Sequence, residues 1–256
     1  MLLVVDAGNT QTHFGMFEGD DLLHHWRFAT VRDATGDELA SVLVNLLGLR
    51  GLALDDVDGA VFSSVVPTLH HEYGQVSERY LDGKAIPVGP GIKTGIPIRT
   101  ESPHEVGPDR LVNAVAAYDR IAGACVVVDF GTTINYDVVS EQGELLGAIF
   151  TPGVEISIRA LAERTARLPP IEIEAPSELI GRSTVAAIRS GIVYGFAGQV
   201  DAIVGRLREE LGDGLTAIAT GGLAQTIVPF CDQIDETDDL LTLTGLRLIW
   251  ERNRTA

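Results

Sequence analysis

The chain has 256 residues, 45% of them hydrophobic, enough for one large domain or two of ordinary size with a packed core. Its 36 acidic residues outnumber 19 basic ones, for a formal charge of −17. This argues against a broad basic face for nucleic acid or an anionic membrane, and solvated acidic faces or a saline habitat account for the excess. An apolar start ending at Asp6 is too short for a signal segment, and no run approaches the roughly 20 apolar residues of a spanning helix. A cytoplasmic location, without nucleic-acid or membrane partners, is the expectation.

An apolar strand leads into Val4-Val5-Asp6-Ala7-Gly8-Asn9-Thr10, and 123 positions later the pattern returns as Val127-Val128-Asp129-Phe130-Gly131-Thr132-Thr133. Each copy ends a strand in a carboxylate and turns through glycine, whose missing side chain lets backbone N–H groups approach a phosphate. An ordinary hairpin turn is the bland alternative. Second strands follow at 12–17 and 134–139, with turn residues before a third, so each half opens with a β-meander. After the first meander come a helix over 36–49, a strand at 59–63, a helix after Pro67 and a short strand at 84–88. A Gly/Pro-rich passage at 89–97 precedes an amphipathic stretch from Pro108 to about Ala122. The second half runs through strands at 124–129, 134–139 and 144–150, helices near 153–166 and 184–211, a strand at 215–220, and helices at about 222–230 and 241–253. A division into lobes 1–113 and 114–256 follows.

Cys125 lies in an apolar strand and Cys231 near a helix end, without metal spacing, and both read as reduced structural residues. His13, His24, His25, His70, His71 and His104 form no metal-ligand pattern. Gly221-Gly222 joins a strand to a helix, a turn that serves tight geometry as readily as ligand approach. Gly191, Gly195 and Gly198 make a small-residue stripe on the long helix, which predicts a tight contact within the subunit or across a dimer.

The repeated order resembles the α/β, duplicated ribonuclease-H-like (actin-like ATPase) fold of the acetate and sugar kinases, two lobes with the nucleotide cleft between them. More narrowly, the chain resembles the type III pantothenate kinases along nearly its whole length. The matching segments are D-x-G-N-T at 6–10, P-G-I-K-T-G at 90–95, E-V-G-x-D-R-x-V-N at 105–113 and D-F-G-T at 129–132. P-G-V-E-I-S at 152–157, G-x-x-T at 181–184 and the terminal L-T-L-x-G-L-R-L-I-W-E-R-N at 241–253 complete the series.

The resemblance implies ATP-dependent phosphorylation of the primary hydroxyl of pantothenate, the first step of coenzyme A synthesis, with Mg²⁺ and a monovalent cation, K⁺ or NH₄⁺. It implies ATP binding by Asp6, Ala7, Gly8, Asn9, Thr10, Gln11, Thr12, His13 and Thr132. Asp6 is a hard oxygen ligand suited to Mg²⁺–phosphate, directly or through water. Asp109 matches the general base, and Gly107 and Pro108 read as the N-cap and first position of its helix. That first-turn position predicts a lowered pKa through the macrodipole. Arg110 matches the partner of the pantothenate carboxylate, by bidentate pairing. Gly107, Pro108, Asp109, Arg110 and Thr184 make up the implied substrate site, although Ser183 or Thr184 also suits a helix cap. Asp129 matches the monovalent-cation ligand. The family is dimeric, so a homodimer is expected.

The chain departs from the family pattern at Thr133–Tyr136, at Ala148–Thr151, and around Thr100 where many relatives carry an aromatic residue. A catalytically silent regulatory paralogue is the rival, as is a kinase of the same superfamily acting on another small hydroxyl compound. Retention of Asp6, Asp109 and Asp129 argues against the silent form.

Overall fold

The computed structural model describes residues 1–164 and 171–254. In chain order the strands and helices are β1 Leu2–Ala7, β2 Gln11–Glu18, β3 Asp21–Ala29, α1 Gly36–Gly48, β4 Gly59–Ser64, α2 Pro67–Tyr80, β5 Ala85–Pro87 and α3 Pro108–Ile121. They continue as β6 Cys125–Phe130, β7 Thr133–Val139, β8 Leu145–Pro152, α4 Val154–Arg164, α5 Thr184–Leu211, β9 Thr216–Thr220, α6 Ala224–Ile227, β10 Glu236–Thr237 and α7 Leu241–Asn253.

The duplication expected from the paired heptapeptides is visible in the topology. One sheet runs β3-β2-β1-β4-β5 and the other β8-β7-β6-β9-β10. In both, the first three strands form an antiparallel meander and the last two add in parallel. This is the duplicated ribonuclease-H-like architecture. The compact units are Met1–Pro97 with Glu101–Ala116 and Leu241–Ala256, and Ile98–Thr100 with Ala117–Leu240. They part α3 after Ala116, and α7 belongs with the first sheet.

In the first unit, one sheet face carries Leu3, Val5, Phe14, Met16 and Phe62 against Leu39, Leu43 and Leu47 of α1 and Leu69, Tyr73 and Val76 of α2. Thr35 and Glu38 close a capping box at the start of α1, satisfying two backbone donors that the helix leaves orphaned. The opposite face takes α7. A Cβ on Gly15 would lie 3.2 Å from Leu243 Cδ1, and one on Gly59 would collide with the Trp250 ring. Glycines at these strand positions make the room for the helix. α3 rests on α7 in turn, because Gly245 brings its backbone against the Val112 carbonyl, where any Cβ would clash. Beside this contact Thr242 Oγ1 donates to Asn113 Oδ1 at 2.7 Å.

The second unit buries Val126, Val128, Phe130, Ile134 and Tyr136 under Val193, Phe196, Ala197, Val200 and Val204 of α5. The helix expected over 153–166 runs Val154–Arg164, and its last two positions lie outside the described residues. The helix expected over 222–230 holds only as α6, followed by a 3-10 turn at Val228–Phe230. Pro229 has no N–H for an i−4 bond, and its ring would strike the carbonyl of Gln225. The stripe of Gly191, Gly195 and Gly198 makes no close contact within the described residues, since a Cβ at each would meet open space. Of the two contacts that the stripe predicted, the one inside the subunit is therefore absent there. No helix among the described residues is long and apolar enough to cross a membrane.

Helix propensity favours Gly245→Ala by about 1 kcal/mol, yet the collision with Val112 makes overpacking win. Urea unfolding is expected to show a loss of about 1–3 kcal/mol. Gly205→Ala, where a Cβ on α5 meets open space, is expected to gain up to about 1 kcal/mol in the same measurement.

Candidate active site

In the first unit the predicted phosphate turn leaves β1 at its carboxyl end. Asp6 lies in register between His13 of β2 and Ser63 of β4. Successive residues of a strand face opposite ways, so Val5 and Ala7 serve the α1/α2 core while Asp6 belongs to the other face. Gly8 N donates to Gln11 O at 3.0 Å, closing a short turn, and a Cβ on Gly8 would lie 3.0 Å from that oxygen. Asn9 and Thr10 are exposed at its tip. His13 has a pKa lowered to about 4, first by burial and then by the positive charges of Arg27 and His25. It is therefore neutral at pH 7 and brings no charge to a phosphate. Burial also pushes the Tyr73 hydroxyl well up, and the negative charge of Asp6 adds to the shift.

Asp109 occupies the first turn of α3, where Pro108 opens the helix and Leu111 N donates to Gly107 O at 3.2 Å. Its carboxylate accepts Arg110 N at 2.8 Å and folds back over Gly107, whose Cβ would stand 2.5 Å from Asp109 Oδ1 and 3.8 Å from Val65 Cγ1. A side chain at 107 would push this carboxylate out of its present position. Val65 N in turn donates to Ala7 O at 3.2 Å. Through Val65 the structure brings the end of β1 and the Asp109 helix to the same edge of the first sheet. The lowered pKa expected for Asp109 is not found. Desolvation by burial raises it above 3.8, and the opposing help of Arg110, through its backbone N–H and then its charge, is too small to reverse this.

In the second unit Asp129 holds the position equivalent to Asp6, in register between Asn135 of β7 and Thr220 of β9. A Cβ on Gly221, which has φ +97°, would stand 2.5 Å from Asp129 Oδ1. This glycine lets the end of β9 close on the carboxylate. Gly153, just before α4, lies against the backbone of Thr132 so closely that a Cβ has no room. Ser183 caps α5, its hydroxyl accepting from Ala186 N at 3.2 Å, and Thr184 is the exposed first helical residue. Gly181 packs against the backbone of Ala186 and Ala187, where a Cβ would have no room.

No group of three or more His, Cys, Asp or Glu among the described residues is placed to hold a metal by itself. The donor sets fit ions that bring other ligands. Beside Asp6 the Ser63 hydroxyl is fully buried with no hydrogen-bond partner among the described residues, a polar atom suited to a water of a hydrated cation. Beside Asp129 the backbone of Gly221 packs against the carboxylate, where any Cβ would collide. Thr30 and Arg32, which no sequence pattern singled out, reach the Gly8–Thr10 turn by hydrogen bonds.

A family model described as type III pantothenate kinase matches residues 2–206. The chain is 49% identical over 257 residues to a type III pantothenate kinase of Thermobifida fusca, covering 99% of this chain and 100% of that one. It is 48% identical over 261 residues to one of Streptomyces coelicolor, covering 99% and 98%. Among solved structures it is similar in fold to the activator of the 2-hydroxyisocaproyl-CoA dehydratase from Clostridium difficile with bound ADPNP. The TM-score is 0.58 at 16% identity, covering 96% and 92% of the two chains.

The raised pKa of Asp109 has a consequence for stability. The folded state holds this proton more tightly than the unfolded chain, so the ionised carboxylate destabilises the fold above the folded pKa, and the effect vanishes below 3.8. Asp109→Asn is expected to melt at or above the wild-type temperature at pH 7. The difference should shrink as the pH falls through the raised pKa, as read by thermal unfolding across pH.

Proposed function

The chain belongs to the type III pantothenate kinase family, and from that membership we infer that it transfers the γ-phosphoryl group of ATP to the primary hydroxyl of pantothenate, opening coenzyme A biosynthesis. The assignment of residues within this reaction rests foremost on Asp109, a carboxylate made more basic by burial and brought to the carboxyl edge of β1.

Asp109 accepts a hydrogen bond from the substrate hydroxyl and aligns its oxygen with the γ-phosphorus. As the new P–O bond forms and the bond to ADP breaks, the hydroxyl proton passes to the carboxylate. In a loose transition state the hydroxyl becomes acidic only late, so alignment outweighs base strength. Arg110, next in the first turn of α3, takes the pantothenate carboxylate in a bidentate pair, with the helix N-terminus adding to the attraction. Gly107 and Pro108 shape that turn, and Thr184 adds a hydroxyl from the start of α5.

The segment Asp6–His13 carries the ATP phosphates, with Asn9 and Thr10 at the exposed tip, and Thr132 contributes from the repeated turn. A family that uses ATP works with a divalent metal, and Asp6 with its neighbour Ser63 suits the water shell of Mg²⁺. When bound, that ion neutralises charge on the phosphate oxygens. Asp129, a hard oxygen donor at the end of β6, suits a monovalent cation, K⁺ or NH₄⁺.

A homodimer accounts for the outer face of the second unit. The strand β8 is a sheet edge with Phe150 58% exposed, and Ile156, Leu161 and Tyr194 of the neighbouring helices are 42%, 40% and 37% exposed. The open glycine stripe of α5 lies on the same helix as Tyr194. Single exposed apolar residues need no explanation, but a small-residue stripe on a helix that also exposes Tyr194 suits a partner helix.

Purified protein is expected to release ADP from ATP and Mg²⁺ only when pantothenate is present, faster in potassium than in sodium buffer. Asp109→Asn should abolish turnover while leaving a folded protein. Absence of pantothenate-dependent turnover from folded, ATP-binding wild type would overturn the assignment and favour a silent paralogue. In sedimentation the wild type should run as a dimer, and Gly195→Arg as a monomer.

A further inference from the structure

The backbone of the Gly8–Thr10 turn is held from one side by residues just beyond β3. Thr30 Oγ1 donates to Gly8 O at 2.9 Å, and Thr30 N donates to Thr10 O at 2.9 Å. Between them the Arg32 guanidinium reaches Asn9 O at 3.3 Å from Nη2 and 3.4 Å from Nε, and Asn9 Oδ1 at 3.2 Å. Three successive carbonyls are thus accepting from the β3 side.

The support extends inward. Thr30 has one hydroxyl proton, and it is given to Gly8 O, so in the 2.9 Å contact between Thr12 Oγ1 and Thr30 Oγ1 the fully buried Thr12 is the donor. The Arg32 carbonyl accepts Thr68 Oγ1 at 2.8 Å from the first turn of α2. The brace is therefore tied to buried Thr12 at one end and to the first turn of α2 at the other.

A trans peptide is planar, so the N–H of each residue points opposite to the preceding carbonyl. With the Gly8 carbonyl tied to Thr30, the Asn9 N–H is aimed away from β3. With the Asn9 carbonyl tied to Arg32, so is the Thr10 N–H. We propose that Thr30 and Arg32 are positioning residues for ATP, which turn the Asn9 and Thr10 amides outward toward the nucleotide phosphates. The exposed guanidinium adds local positive charge to a chain with a formal charge of −17. The proposal rests on the assignment of this turn to the ATP phosphates and goes beyond it by naming what orients the donors.

The test compares wild type with Thr30→Val, Thr30→Ser, Arg32→Gln and Gly8→Val in steady-state kinetics and in calorimetric binding of Mg-ADP. Thr30→Val keeps the side-chain shape but strands the Gly8 carbonyl and the Thr12 hydroxyl. It should raise the KM for ATP and the Kd for Mg-ADP on the order of tenfold. The KM for pantothenate should stay at the wild-type value, and Thr30→Ser should restore nucleotide affinity. Arg32→Gln, changed at an exposed side chain, should weaken nucleotide binding in the same selective way and supplies the result should Thr30→Val fail to fold. Wild-type ATP parameters in Thr30→Val and Arg32→Gln would overturn the proposal, as would losses shared equally between ATP and pantothenate. Should Gly8→Val, which crowds Gln11 O, also bind nucleotide normally, the turn is not the phosphate cradle and the assignment beneath the proposal fails with it.

Discussion

The site depends on a contact between two helix backbones. Gly245 of α7 meets the carbonyl of Val112 on α3 with no space for a side chain, and α7 is itself seated on the first sheet through the gaps at Gly15 and Gly59. Val112 lies about one turn past Asp109, so this contact sets where the Asp109 turn sits relative to the end of β1. Burial strips water from the Asp109 carboxylate. A helix N-terminus worth roughly 0.3–1 kcal/mol to a solvated anion does not offset that loss, and the carboxyl becomes harder to ionise. For a residue proposed to accept a proton, the sign of that balance matters more than its size.

The two sheets solve one problem twice. In each, a strand ends in an aspartate flanked in register by a hydroxyl from the parallel neighbour, Ser63 beside Asp6 and Thr220 beside Asp129. The glycines around them work mainly by permitting close approach: Gly107 at Asp109, Gly221 at Asp129, Gly153 at Thr132. Only at Gly221 does positive φ add a second reason. Of the double glycine at 221–222, Gly221 thus has a structural reason of its own.

Much of this was legible before any coordinates, and the reasons are physical. Strand and helix periods are local, so the meanders, α1, α5 and α7 stand where apolar spacing puts them. The repeated V-V-D-x-G-x-T reports the duplication because the same turn is built twice. What escaped was whatever tertiary contact decides. A lowered pKa for Asp109 follows from its helix position alone, and burial reverses it. The glycines at 191, 195 and 198 advertise close packing without saying against what, and within the described chain they face open space. Thr30 and Arg32 belong to no motif, since their role arises only when β3 returns beside the first turn. The short α6 was readable in principle, because Pro229 forbids a longer helix.

Burial raises the Asp109 carboxyl above the ordinary aspartate range, and in that environment it is proposed to align and deprotonate the substrate hydroxyl. A carboxyl-carbon NMR titration of the free protein tests this most directly, with the Asp109 resonance assigned by its absence from Asp109→Asn. A midpoint clearly above 3.8 is expected, coinciding with the acid limb of the kcat/KM profile. A midpoint at or below 3.8 would contradict it, and would return Asp109 to the role of a solvated helix-end carboxylate.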